Sequence, residues 1–110
     1  MELFRKGRNM IDNNLYYFEE LETYGKIELK HKHSRFLVKN FSEASVYIGL
    51  ELENGNPVHD AIEIPSGAWE IIETNINVDG NLVRDEQNYI YAAIWENNNN
   101  MARVEVRGLD

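Results

Sequence analysis

Between Phe36 and Leu50 the chain reads FLVKNFSEASVYIGL, a stretch that admits little besides β-structure. Phe36 and Val38 lead into Asn40-Phe41-Ser42-Glu43, and Val46, Ile48, Leu50 and Leu52 leave it at the same even parity. Apolar residues repeating every second position suit a strand with one buried and one wet face; an amphipathic helix repeats every three or four. The stretch predicts two short strands hinged at residues 40–43, at the centre of a β-core.

The same reading extends along the rest of the chain. Ile27 and Leu29 alternate with Lys26, Glu28, Lys30 and Lys32, and His31 and His33 fall on the Ile27 side by parity. The apolar parity then switches from odd to even, so a bulge or turn is required near Ser34 and Arg35. Glu53-Asn54-Gly55-Asn56-Pro57 is a turn, and Pro65-Ser66-Gly67 stops a short strand over Ala61–Ile64. The strand from Trp69 to Asn75 sets Trp69 and Ile71 against Ile72 and Thr74, with Ile76 following on the latter side. Asp79-Gly80-Asn81 predicts a hairpin turn between Ile76–Val78 and Leu82–Arg84. Asn88–Trp95, apolar on both faces, predicts a central strand, paired with Ala102–Arg107 across a tip holding Asn97–Asn100. Seven or eight short strands so punctuated predict an all-β fold, an antiparallel β-sandwich.

The first 25 residues lack a clean period and read as an N-terminal arm ahead of a sandwich domain over 26–110. Asp12 could cap one short helix carrying Leu15, Phe18 and Leu21 and ending at Gly25, whereas Leu15-Tyr16-Tyr17-Phe18 suits an extended strand equally well. Leu3, Phe4, Met10 and Ile11 give the arm too much apolar surface for a disordered tail, so it is expected to pack on the core or a partner. With core strands beginning at Lys26, removal of residues 1–24 is expected to leave the sandwich folded.

A chain of 110 residues holds one domain with room for a real core, and without cysteine it uses neither disulfides nor thiolate metal sites. No apolar run approaches the ~20 residues of a membrane span, and MELFRKGRNM lacks the apolar core of a secretion signal. The net charge of −8 divides into +2 over residues 1–39 and −10 over residues 40–110. An acidic body repels phosphate, so neither nucleic acid nor an anionic membrane is an expected partner. Arg5, Lys6 and Arg8 instead suit docking of the arm onto an acidic protein surface.

Chemistry-bearing patterns are sparse. His31-x-His33 followed by Pro65-x-Gly67 resembles the metal-binding arrangement of a cupin barrel, but Leu37 and Val38 stand where a glutamate ligand would come. Glu70 stands where a third histidine would follow, so a degenerate cupin-like metal site of His31, His33 and Glu70 remains only an alternative. His59 and Asp60 lack a serine or cysteine nucleophile in context, and no glycine-rich phosphate loop is present. The chain is accordingly expected to be non-enzymatic and without a cofactor. A second alternative, a carbohydrate-binding or adhesion module, would stack sugars on Tyr47, Trp69, Tyr89, Tyr91 or Trp95.

Val38-Lys39-Asn40-Phe41-Ser42, Val46-Tyr47-Ile48-Gly49, Ile62-Glu63-Ile64-Pro65-Ser66-Gly67, Tyr89-Ile90-Tyr91-Ala92 and Val104-Glu105-Val106 occur in an order that resembles small β-sandwich structural proteins of tailed bacteriophages. The resemblance covers residues 36–107 and implies a virion component of the capsid-decoration or head-fibre-related kind, assembled in the bacterial host cytoplasm. It implies no active site. Its partner would be the major capsid protein or another virion protein, with copies of itself as a further possibility. Under this reading Leu3, Phe4, Arg5, Lys6, Arg8, Met10 and Ile11 form the interface.

Overall fold

The computed structural model describes residues 12–18, 24–53, 56–58, 61–74, 76–83, 85–94 and 101–109. Among them lie β1 (Asn13–Phe18), β2 (Tyr24–His33), β3 (Arg35–Asn40), β4 (Val46–Gly49), β5 (Glu51–Glu53) and β6 (Asn56–Val58). The second half contributes β7 (Ile62–Ile64), β8 (Trp69–Glu73), β9 (Ile76–Val78), β10 (Asn81–Val83), β11 (Gln87–Ala93) and β12 (Ala102–Gly108). Eight strands form two four-stranded antiparallel sheets, in the orders β1-β12-β3-β8 and β2-β11-β4-β7. The other four make the β5–β6 and β9–β10 hairpins. The molecule is a β-sandwich, and its strand order is that of a jelly roll.

Period-two patterning explains the core. Phe36, Val38, Ile72, Ala102, Val104 and Val106 of the first sheet and Ile27, Val46, Ile48, Ile64, Ile90 and Ala92 of the second belong to one cluster of buried side chains. Each large member contributes on the order of 1.5–3 kcal/mol by leaving water. The chain changes sheets between β1 and β2, β2 and β3, β3 and β4, β7 and β8, β8 and β11, and β11 and β12, so the corners must satisfy backbone groups that no ladder covers. At the β2–β3 corner, the carbonyl of fully buried Ser34 accepts the Thr74 N–H at 2.9 Å and the Thr74 hydroxyl at 3.2 Å. This is where the sequence changes parity.

The β3–β4 corner rests on Asn40, which is 1% exposed. Its Nδ2 donates to the carbonyls of Ala44 and Ile64, both at 2.9 Å, and its Oδ1 accepts the Ser42 N–H at 2.8 Å. Its backbone N–H donates to Ala68 and its carbonyl accepts from Gly67, each at 2.9 Å. Ser66 Oγ adds a 2.6 Å bond to the Ser42 carbonyl, so the Asn40-Phe41-Ser42 hinge and the Pro65-Ser66-Gly67 stop form one polar node. The β9–β10 turn is of type I′, with positive φ at Asp79 (52°) and Gly80 (84°), which matches the twist of the flanking strands.

Two expectations need correction. Asp12 does not cap a helix: residues 13–18 form β1, which pairs with β12 from Asn13↔Arg107 to Phe18↔Ala102. Leu-Tyr-Tyr-Phe has no strong helical preference, and the β12 edge offers it a complete ladder. Nor does Ala102–Arg107 pair with the apolar strand before it. β11 lies between β2 and β4, whereas β12 lies between β1 and β3 in the opposite sheet. Sheets stacked about 10 Å apart are within easy reach of the connecting residues, so nearness in sequence does not fix pairing here.

Candidate docking surface

Odd-numbered residues of the first sheet point away from the core, and strand register lines them up. Asn13, Arg107, Leu37 and Ile71 form one row across β1, β12, β3 and β8, and Leu15, Glu105, Lys39 and Trp69 form the next. Phe41 keeps register past the end of β3 through its N–H bond to the Arg103 carbonyl at 2.7 Å, and Leu109 does so past β12 through its bond to the Arg35 carbonyl at 2.9 Å. Leu37, Lys39, Phe41, Trp69, Ile71 and Leu109, together with the Gly67–Ala68 turn, line an open groove of about 580 Å³.

The groove is apolar where a sheet facing water would be polar. Trp69 is 59% exposed, Phe41 53% and Ile71 41%, and Leu15 and Tyr17 continue the apolar surface on β1. Five of the six large apolar side chains that are exposed among the described residues therefore share one face. Its charges also depart from the balance of the chain, which has 11 basic and 19 acidic residues: among the described residues it carries Arg35, Lys39, Arg103 and Arg107 against only Glu73 and Glu105. Arg107 Nε meets Glu105 Oε2 at 3.3 Å, and the Arg103 guanidinium lies over the Tyr17 ring at 5.9 Å. The Lys39 ammonium, inside the groove, makes no hydrogen bond or ion pair with a described residue.

The histidine pair is split. His33 is buried against Asp12, with Nε2 3.0 Å from Asp12 Oδ2, and its ring stands edge-on to Phe36 at 5.9 Å. His31 is exposed and contributes its backbone N–H to the same Asp12 oxygen at 2.9 Å. The β2–β11 register shifts between Gln87↔His33 and Tyr89↔Glu28, and this irregularity separates the environments of two residues that simple alternation would leave alike. Glu70 is exposed on β8, in the other sheet. The three candidate ligands do not converge, and among the described residues no group of three His, Cys, Asp or Glu could hold a metal ion.

Asp12 went unrecognised in the sequence except as a helix cap. Burial raises its pKa, but the hydrogen bonds from His33 and the His31 N–H and the nearby imidazole charges outweigh that effect and bring it below the ordinary carboxylate value. Its carbonyl also accepts the Gly108 N–H at 3.1 Å, and a side chain at Gly108 would collide with the His33 ring, at 2.2 Å from a built Cβ. The Asp12–His33 pair thus ties the start of β1 to β2 and β12.

Tyr47, Tyr89 and Tyr91 lie half-buried on the second sheet, with Tyr89 and Tyr91 packed edge to face at 5.6 Å. Lys26 covers Tyr89 at 4.7 Å and meets Glu28 at 3.3 Å, which leaves that ring less open for stacking. The arm residues Leu3, Phe4, Arg5, Lys6, Arg8, Met10 and Ile11, as well as His59, Asp60, Trp95 and the Asn97–Asn100 tip, lie outside the described residues. Comparison of the chain with protein-family models, curated proteins and solved structures gives no match.

Proposed function

We propose that this protein is a non-enzymatic structural module that docks onto a larger assembly, and that the assembly is a tailed-phage virion, through its capsid or a neighbouring head or tail component. The exposed apolar outer face of the β1-β12-β3-β8 sheet carries the docking part of this reading, because a solvated sheet face ordinarily alternates to polar residues. The virion part rests on the resemblance of the segments from Val38 to Val106 to small phage β-sandwich proteins. A jelly roll suits both, being an architecture used in viral capsid domains, although it serves lectins and cupins as well.

Many copies on a particle would let a modest contact hold firmly, since each neighbour raises the effective concentration of the next. Quantitative mass spectrometry of density-purified particles tests the assignment. The expected result is this chain in a fixed ratio to the major capsid protein; its absence from particles that contain all other head and tail proteins would overturn the virion role.

A further inference from the structure

We propose that the groove on the outer face of β3 and β8 takes an apolar segment of a partner protein flanked by carboxylates, with one carboxylate on Lys39 and apolar side chains against Leu37, Phe41, Trp69 and Ile71. This rests on the docking reading above and specifies the chemistry of the partner. The apolar lining calls for aliphatic or aromatic side chains. Lys39 lies in register between Glu105 and Trp69, on the floor of the groove, without an ion-pair partner among the described residues. A cation in such a place is most economically satisfied by a carboxylate from the occupant.

The surrounding charges favour the same occupant. Among the described residues this face carries four Lys and Arg but only two acids, so it is a positive island on an acidic body. Two such faces meeting symmetrically would bring like charges together, which argues against a two-fold dimer through it. An acidic partner gains both steering and fit. From the Arg35–Leu109 row to Phe41 the groove spans six residue steps along β3 and just past its end, about 20 Å, enough for roughly six residues of extended chain or 13 of helix.

The test is selection of a random 12-residue peptide display library on the immobilised full-length chain, followed by affinity measurements with individual synthetic peptides. The expected binders combine aromatic or aliphatic residues with Asp or Glu. Their affinity should fall about tenfold or more with Lys39→Glu and be lost with Ile71→Asp, in keeping with loss of a close charge pair and of an apolar anchor. Ile71 is 41% exposed, so that variant should keep the wild-type far-ultraviolet circular dichroism spectrum. Trp69→Ser provides a second variant should Ile71→Asp fail to fold.

Binders that depend on Ile71 but are neutral or basic would overturn the acidic-partner proposal while leaving the docking reading standing. Size-exclusion chromatography that shows a dimer of the chain, made monomeric by Ile71→Asp, would likewise overturn it by giving the face to a second copy. Failure to enrich any peptide sensitive to Ile71 or Trp69 would overturn both.

Discussion

Replacing Asp12 with alanine should destabilise the protein by about 3 kcal/mol. The substitution removes the acceptor of two hydrogen bonds, from His33 Nε2 at 3.0 Å and the His31 N–H at 2.9 Å. A bond to a charged acceptor contributes about 1.5–3 kcal/mol, so the loss of two such bonds sets the scale. Because Asp12 and His33 are only 8% and 4% exposed, solvent screening weakens the pair little. In a domain of this size about 3 kcal/mol lowers Tm by roughly 12 °C, easily read from circular dichroism on heating at pH 7. Asp12→Asn keeps an acceptor but not the charge and should lose less, about 1 kcal/mol. The folded-state pKa of Asp12 is lowered, so its contribution is fully present above the unfolded-state value near 4 and is lost as pH falls through the lower folded-state value. The gap in Tm between wild type and Asp12→Asn should therefore narrow as pH falls from about 5 to about 2. A gap that stays constant across this range, or an Asp12→Ala variant melting within about 2 °C of wild type, would refute the role assigned to the pair.

Asn40→Leu should cost about 3 kcal/mol or more by chemical denaturation, since it strands the buried Ala44 and Ile64 carbonyls and frees the Ser42 N–H. Gly108→Ala should destabilise by about 2 kcal/mol through collision with the His33 ring, and its effect should be less than additive with Asp12→Ala, which lets that ring move. Gly80→Ala should cost about 1 kcal/mol from backbone strain alone, because φ is 84° and no neighbour lies within 4 Å of the added methyl. Deleting residues 1–23 should lower Tm and promote aggregation, contrary to the expectation of an independent 26–110 domain, because it removes β1 from the β12 edge and Asp12 from His33.

Local features with a local cause were legible in the sequence. Alternation from Phe36 to Leu50 and from Trp69 to Thr74 announced strands and told their faces apart, because successive side chains of a pleated backbone must point in opposite directions. Asp79-Gly80 announced its turn because the type I′ geometry needs two positive φ angles. That Trp69 and Ile71 share a face opposite Ile72 and Thr74 was likewise readable, but which of the two faces meets water was not.

Pairing and burial were decided by the tertiary structure. Whether residues 13–18 are strand or helix depends on the β12 edge, which lies some ninety positions away in the chain. Whether β12 joins β11 or β3 depends on which sheet each completes, and alternation is silent on that because it fixes a face and not a neighbour. His31 and His33 have the same parity, yet the register shift opposite Gln87–Tyr89 and the approach of Asp12 bury one and expose the other. Lys39, Phe41 and Leu109 are unremarkable as single letters and become a groove with Trp69 only through the register of β3 against β8 and β12. The sequence carries the alternation that makes each strand, whereas contacts between distant segments choose its partners, since the free energy of a ladder and of a buried pair belongs to both members at once.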